Sequence, residues 1–191
     1  MNATRSAVFL DRDGTLIDEL GYLNDASGVR LFPGAARAVA RLNEAGFAVV
    51  LATNQSGIAR GLLDESDLER IHARIGDLLA TEGAHLDLVL YCPHHPRIGR
   101  PPFRKVCECR KPSPGMFLEA REKLDLDMAS SWAIGDSRRD LEAGRWSRVG
   151  GALLVGTGKG QTQREHTADL YDAFVPDLPA AVEHVLAHHA R

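Results

Sequence analysis

Six short apolar runs, most of them separated by stretches of helical period, constrain this chain more than any other feature. They lie at 7–10, 48–53, 86–91, 132–135, 152–155 and 173–175, and each reads as a strand. The apolar spacing predicts helices at 34–45, 64–82, 114–124, 138–146 and 178–188. Strands that alternate with helices pair in parallel, because the crossover helix returns the chain to the same end of the sheet. The expectation is therefore an α/β fold with a mainly parallel central sheet. Its 191 residues, 44 % of them apolar, suffice for one substantial core, and no second domain boundary or internal repeat is visible.

Several boundaries carry a local cause. Pro33-Gly34 precedes the first helix, and Gly46 follows it where a left-handed residue commonly closes a helix. Pro114 suits a first helical turn, and Ser113 before it is a candidate cap for the free amides.

Ligands of open parallel sheets gather at the carboxyl ends of the strands. The first run, Ala7-Val8-Phe9-Leu10, breaks into Asp11-Arg12-Asp13-Gly14-Thr15, which puts two carboxylates and a turn glycine at such an end. One carboxylate can attack as a nucleophile while the other gives and takes a proton. Taken alone, Asp-x-Asp-Gly-Thr is as readily a plain turn. The second run ends in Thr53-Asn54-Gln55-Ser56-Gly57, whose hydroxyl and amides can hold phosphate oxygens. The fourth ends at Gly135-Asp136, an acidic residue able to join Asp11 around Mg²⁺. Lys111 adds the cation that a transferring phosphoryl group needs.

Between Tyr91 and Pro114 lie five prolines and all three cysteines, with little helical or strand period. A loop of that length needs a staple. Cys92-x-His94, twelve intervening residues and Cys107-x-Cys109 supply a Cys₃His set, which has the composition of a closed, structural zinc site. The zinc-binding loop is expected at 92–109, where it would position Arg110 and Lys111.

Together, Asp11–Thr15, Thr53-Asn54, Lys111-Pro112 and Gly135-Asp136 resemble, in family order, the haloacid-dehalogenase-like phosphatase superfamily. Within it the chain is most similar to the D-glycero-D-manno-heptose 1,7-bisphosphate 7-phosphatases. The shared motifs are Thr-Asn-Gln-Ser-Gly-Ile-Ala-Arg-Gly from Thr53 to Gly61, Cys-Pro-His-His-Pro from Cys92 to Pro96, and Cys-x-Cys-Arg-Lys-Pro from Cys107 to Pro112. The likeness spans about residues 7–159. It implies a three-layer Rossmann-like (HAD-like) fold without a large cap domain. It also implies an Asp11 nucleophile, an Asp13 general acid and base, and Thr53 and Lys111 on the phosphoryl oxygens. Mg²⁺ is then held by the Asp11 side chain, the Asp13 backbone carbonyl and Asp136, and Zn²⁺ by Cys92, His94, Cys107 and Cys109, with His95 as a competing donor.

By the same resemblance, Glu19, Leu20, Gly21, Tyr22, Asn54, Gln55, Ser56, Arg110 and Ser137 contact the sugar substrate, with Arg110 on the distal phosphate. Two positions depart from the pattern: Glu19 stands where Asp is frequent, and Ser137 where Lys is common. Arg138 and Arg139 are the nearby cations that can compensate. The Gly156-Thr157-Gly158-Lys159-Gly160 stretch lacks the ends of a P-loop and reads as a loop at the sheet edge. His184, His188 and His189 read as one side of a solvated helix, and Trp132 and Trp146 as core or helix-face residues.

A formal net charge of −3 argues against a nucleic-acid partner. No run of eighteen apolar residues predicts a membrane span, and the apolar stretch that Asp11 ends is too short for a secretory core. The expected setting is a cytoplasmic monomer acting on a small phosphorylated sugar. The competing readings are a histidinol-phosphate phosphatase, a nucleic-acid 3′-phosphatase and a zinc-stabilised phosphate-binding module without turnover.

Overall fold

The computed structural model describes residues 4–19 and 21–189. Its strands are β1 (Ala7–Leu10), β2 (Ala48–Asn54), β3 (Leu88–Cys92), β4 (Trp132–Gly135), β5 (Gly151–Val155) and β6 (Ala173–Val175). Its α-helices are α1 (Ala35–Glu44), α2 (Glu65–Ala80), α3 (Gly115–Leu124), α4 (Arg138–Trp146), α5 (Gly160–Gln163) and α6 (Leu178–His189). All the strands pair in parallel, in the order β3-β2-β1-β4-β5-β6. This is the Rossmann-like order, and the direction of winding reverses between β1 and β4, where a crevice opens.

The four inner strands, β2, β1, β4 and β5, bury both faces, because successive side chains point to opposite sides and helices cover each side. Val8 and Leu10 of β1 join Val49, Leu51, Ile134 and Leu153 in a core beneath α1, α2 and α6. Ala7 and Phe9 join Val50, Ala52, Ala133 and Leu154 in a second core beneath α3 and α4. Phe9 stacks on Phe117 with ring centroids 4.2 Å apart. The result is three layers, and no large cap domain stands over the sheet among the described residues.

Helix α2 begins where Asp64 accepts from the Asp67 amide at 2.8 Å and Asp67 accepts from the Asp64 amide at 2.9 Å. Three expectations need correction. Ser113 does not cap α3, whose N-cap is Pro114 without a side-chain hydrogen bond. The Gly156–Gly160 stretch is not at the sheet edge, since β5 pairs with both β4 and β6 and the short helix α5 follows it. The histidines of α6 are not simply solvated: His184 and His188 stack at 4.2 Å and pack edge-on against Trp132, and His189 lies 4.2 Å from the Phe47 ring. Trp146 is on an exposed helix face.

Candidate active site

The ends of β1 and β4 bring Asp11 and Asp136 together, because Leu10 registers with Ile134 and the Asp11 amide donates to the Ile134 carbonyl at 3.1 Å. One carboxylate oxygen from each of Asp11, Asp136 and Asp140 lies within 4.8 Å of the others, and all three residues are buried. Lys111, only 2 % exposed, reaches this cluster from the far side of the cysteine loop. Its ammonium donates to Asp11 Oδ1 at 2.8 Å and to the Ala52 carbonyl at 2.5 Å, and pairs with Asp140 Oδ1 at 2.7 Å. Asn54 fixes the lysine's backbone, donating to its carbonyl at 2.9 Å and accepting from its amide at 3.1 Å.

Burial first, and then the charge of Asp140, raise the Asp11 carboxyl above the ordinary range, although Lys111 opposes the shift. Burial, followed by Asp11 and Asp140, raises Asp136 to about 7. Asp140 moves the other way: burial opposes ionisation, but the charges of Lys111 and Arg139, with hydrogen bonds from Lys111 and Ser137, outweigh it and lower the carboxyl. The cluster thus concentrates more negative charge than its lysine balances. Asp11 Oδ2 and Asp136 Oδ1 are buried without a protein hydrogen-bond partner. Hard carboxylate oxygens left free at the carboxyl end of a parallel sheet fit a divalent cation such as Mg²⁺.

Glycine makes this convergence possible. Gly14 (φ 83°) and Gly158 (φ 54°) lie against the Asp136 carboxylate, and a Cβ on either would sit 2.3 Å from Asp136 Oδ2. The Lys159 amide donates to Asp136 Oδ2 at 2.8 Å, Thr157 Oγ1 donates to the Gly14 carbonyl at 2.6 Å, and the Lys159 ammonium pairs with Glu19. The loop after β5 is therefore part of the site.

Asp13 has separate supports. The guanidinium of Arg12, 1 % exposed, donates to Asp13 Oδ1 at 2.9 Å and to Gln55 Oε1 at 2.9 Å. Gln55 Nε2 donates to Asp13 Oδ2 at 2.9 Å and to Thr53 Oγ1 at 2.8 Å. Asp13 faces a cleft of about 240 Å³ lined also by Glu19, Gly21, Tyr22, Asn54, Gln55, Ser56, Gly57, Arg110, Arg139 and Lys159. Ser137 is not among those residues; its hydroxyl and amide turn to Asp140 and cap α4. Of its neighbours, Arg138 points away to Glu142 at 2.7 Å, whereas Arg139 faces the cleft. Leu20 lies outside the described residues.

Cys92, His94, Cys107 and Cys109 form one cluster with all donors within 4.8 Å of one another, and every pair except His94–Cys107 lies between 3.2 Å (Cys92–Cys109) and 3.7 Å (Cys92–His94). A tetrahedral zinc with donors at ~2.0–2.3 Å sets them roughly 3.3–3.8 Å apart, so the set fits that ion. His95 is not a competitor, because its Nδ1 accepts from the amides of Arg97 at 3.1 Å and Ile98 at 2.9 Å. The cluster orients Arg110, whose guanidinium donates to the His94 carbonyl at 3.0 Å.

Sequence reasoning missed Asp140 and the part played by the loop carrying Lys159. Asp140 carried a signal, since it lies four residues beyond Asp136 and on the first turn of a helix that starts at the strand end. Arg139 was noted only as a spare cation, and Lys159 depends on strand order.

A HAD-hydrolase-like family model matches residues 108–181. The D-glycero-beta-D-manno-heptose-1,7-bisphosphate 7-phosphatase of Escherichia coli K12 is 43 % identical over 178 residues, covering 93 % of each chain. That of Photorhabdus laumondii is 42 % identical, covering 93 % of this chain and 95 % of its own. The crystal structure of D,D-heptose 1,7-bisphosphate phosphatase from B. bronchiseptica, complexed with magnesium and phosphate, superposes with a TM-score of 0.84 at 37 % identity, covering 96 % of this chain and 99 % of that one. With this likeness running along nearly its whole length, the chain belongs to the HAD-like phosphatase family that includes these heptose bisphosphate phosphatases.

Proposed function

We propose that this protein removes the 7-phosphate of D-glycero-β-D-manno-heptose 1,7-bisphosphate through an aspartyl-phosphate on Asp11, in the cytoplasm. The observation that carries the reading is the pair of free, buried oxygens on Asp11 and Asp136 beside the Lys111 ammonium. The Asp11 and Asp136 side chains and the Asp13 backbone carbonyl would hold Mg²⁺, which when bound lowers the repulsion between a carboxylate and a phosphate dianion.

Asp11 attacks phosphorus, and Lys111 fixes the attacking carboxylate while offering positive charge to the transferring oxygens. Thr53 donates its hydroxyl to the same group. Asp13 protonates the departing sugar oxygen, then takes a proton from the water that opens the acyl phosphate. Arg12 and Gln55 keep its carboxylate at the cleft wall throughout. Arg110 meets the distal phosphate, and Glu19, Gly21, Tyr22 and Ser56 line the sugar's path. Zn²⁺ on the Cys₃His cluster is structural, tying down the loop that carries Arg110 and Lys111.

The test is phosphate release in Mg²⁺ from both anomers of the heptose bisphosphate, histidinol phosphate and a phosphorylated oligonucleotide. The expected outcome is preferred turnover of the β-anomer with the 1-phosphate retained in the phosphorus spectrum. Faster release from histidinol phosphate would replace the substrate. No release from any phosphoester would reduce the protein to a binding module.

A further inference from the structure

The cleft cations differ in what already occupies them. Lys159 is paired with Glu19, and Arg110 donates to the His94 carbonyl. Arg12, behind the cleft, is committed to Asp13 and Gln55. Arg139 alone among the cleft-lining cations makes no hydrogen bond to the described residues. Its nearest carboxylate contact is 3.9 Å, from Nε to Asp140 Oδ1, and that Nε is buried without a partner. Asp140 itself is already engaged by Lys111 at 2.7 Å and by the Ser137 cap. A guanidinium fork left free in an otherwise matched wall is arranged to receive two anionic oxygens from a ligand.

Its origin restricts which anion that is. Arg139 enters from the first turn of α4, whereas the groups assigned to the transferring phosphoryl, Thr53 and Lys111, come from the end of β2 and the cysteine loop. Arg139 shares the cleft with Glu19, Tyr22, Arg110 and Lys159; Asp13 marks its inner end, where the sugar oxygen departs, and Thr53 and Lys111 are absent from its lining. The neighbouring Arg138 cannot serve, because Glu142 and the His166 carbonyl hold it outward at 2.7 Å each.

We propose that Arg139 is a specificity-determining residue that grips the phosphate of the substrate that is not transferred, jointly with Arg110. This rests on the bisphosphate reading above. The cation thus comes from the helix turn, while Ser137, the residue directly after Asp136, is occupied in capping that helix.

The test uses the full, zinc-loaded chain carrying Arg139→Gln, with Arg138→Gln as a control. The kcat/KM ratio of heptose 1,7-bisphosphate to mannose 6-phosphate is expected to fall about 10- to 100-fold in Arg139→Gln, the loss of a charge-assisted hydrogen-bonded contact. The fall is expected mainly in KM, and Arg138→Gln leaves the ratio unchanged. An equal loss on both substrates would mean that Arg139 serves the reacting phosphoryl or the fold, and would overturn the proposal. Calorimetric binding of the bisphosphate to Asp11→Asn, with and without Arg139→Gln, separates this from turnover. Weaker binding with Arg139→Gln, even if the wild type hydrolyses nothing, upholds the grip and defeats the phosphatase reading. Equal binding, or none to Asp11→Asn, defeats the grip.

Discussion

Replacing Asp136 by Asn should stabilise the magnesium-free protein, and only above mildly acidic pH. Asp136 is fully buried, and burial with the charges of Asp11 and Asp140 lifts its carboxyl to about 7. The unfolded chain releases that proton near the ordinary aspartate value of 3.8. Between these limits the folded state binds the extra proton, so each rise in pH costs it stability, and the penalty levels off above about 7. The full gap corresponds to roughly 4 kcal/mol, and the part between pH 5 and pH 8 to about 3 kcal/mol. Asn keeps the shape and can still accept from the Lys159 amide, but it carries no charge to desolvate. Urea unfolding should therefore show the variant gaining about 3 kcal/mol on the wild type between pH 5 and pH 8. The buffers must be free of magnesium but contain no chelator, so that the cysteine cluster keeps its metal. Adding Mg²⁺ at pH 8 should then stabilise the wild type and leave the variant almost unmoved, because only the wild type retains both free carboxylates. A variant less stable than the wild type at pH 8, or an advantage that does not change with pH, would refute the electrostatic account.

Three further outcomes follow from particular contacts. Asp140→Asn removes one of the two carboxylates holding Lys111 and should lower kcat/KM by roughly 10- to 100-fold with the far-ultraviolet dichroism unchanged; unaltered kinetics would show that Asp11 alone places the lysine. Cys109→Ser should bring bound zinc below half an equivalent and lower the melting temperature by about 5–10 °C, and full zinc by metal analysis would exclude Cys109 as a ligand. Gly158→Ala puts a Cβ 2.3 Å from Asp136 Oδ2 in a left-handed backbone and should cost most of the activity, whereas Gly83→Ala, also left-handed but with nothing within 4 Å, should cost stability alone; equal activity in the two variants would remove the Asp136 contact from the explanation.

The carboxylate-bearing strand ends were legible because one run of sequence holds both an apolar strand and the carboxylate that ends it. Asp11 after β1 and Asp136 after β4 each carried a plain turn or cap as an alternative, and their pairing with Thr53 and Lys111 in one chain decided between the readings. The cysteine cluster was legible for a similar reason, since two close pairs of donors bracket a loop that could not order itself. What the sequence could not display is which strand lies beside which. Lys159 reaches Asp136 because β5 pairs with β4, and Ser137 is turned from the cleft because it caps α4, its amide and hydroxyl donating to Asp140. Ser113 had the right residue type for a cap, yet the chain turns through Pro114 without using it. Residue type gives a capacity for an interaction, and topology decides whether the partner is there.

Asp11 and Asp13, two residues apart, show how that division produces chemistry. In the mechanism proposed above, an identical side chain serves as nucleophile in one place and proton carrier in the other, which requires that their surroundings differ. Asp11 is sealed in with Asp136 and Asp140, and its ammonium partner comes from a residue one hundred positions away. Asp13 stands at the cleft wall, held by the adjoining Arg12 and by Gln55. Arg12 is among the largest fully buried side chains in the protein, and burying a guanidinium is costly unless a carboxylate meets it. The short turn at Gly14 allows both arrangements at once: the strand delivers Asp11 inward, and the turn brings Asp13 back beside Gln55. The two carboxylates are separated by different counter-ions rather than by distance along the chain. If so, replacing Arg12 by Met should impair the step that needs Asp13 while leaving Lys111 on Asp11.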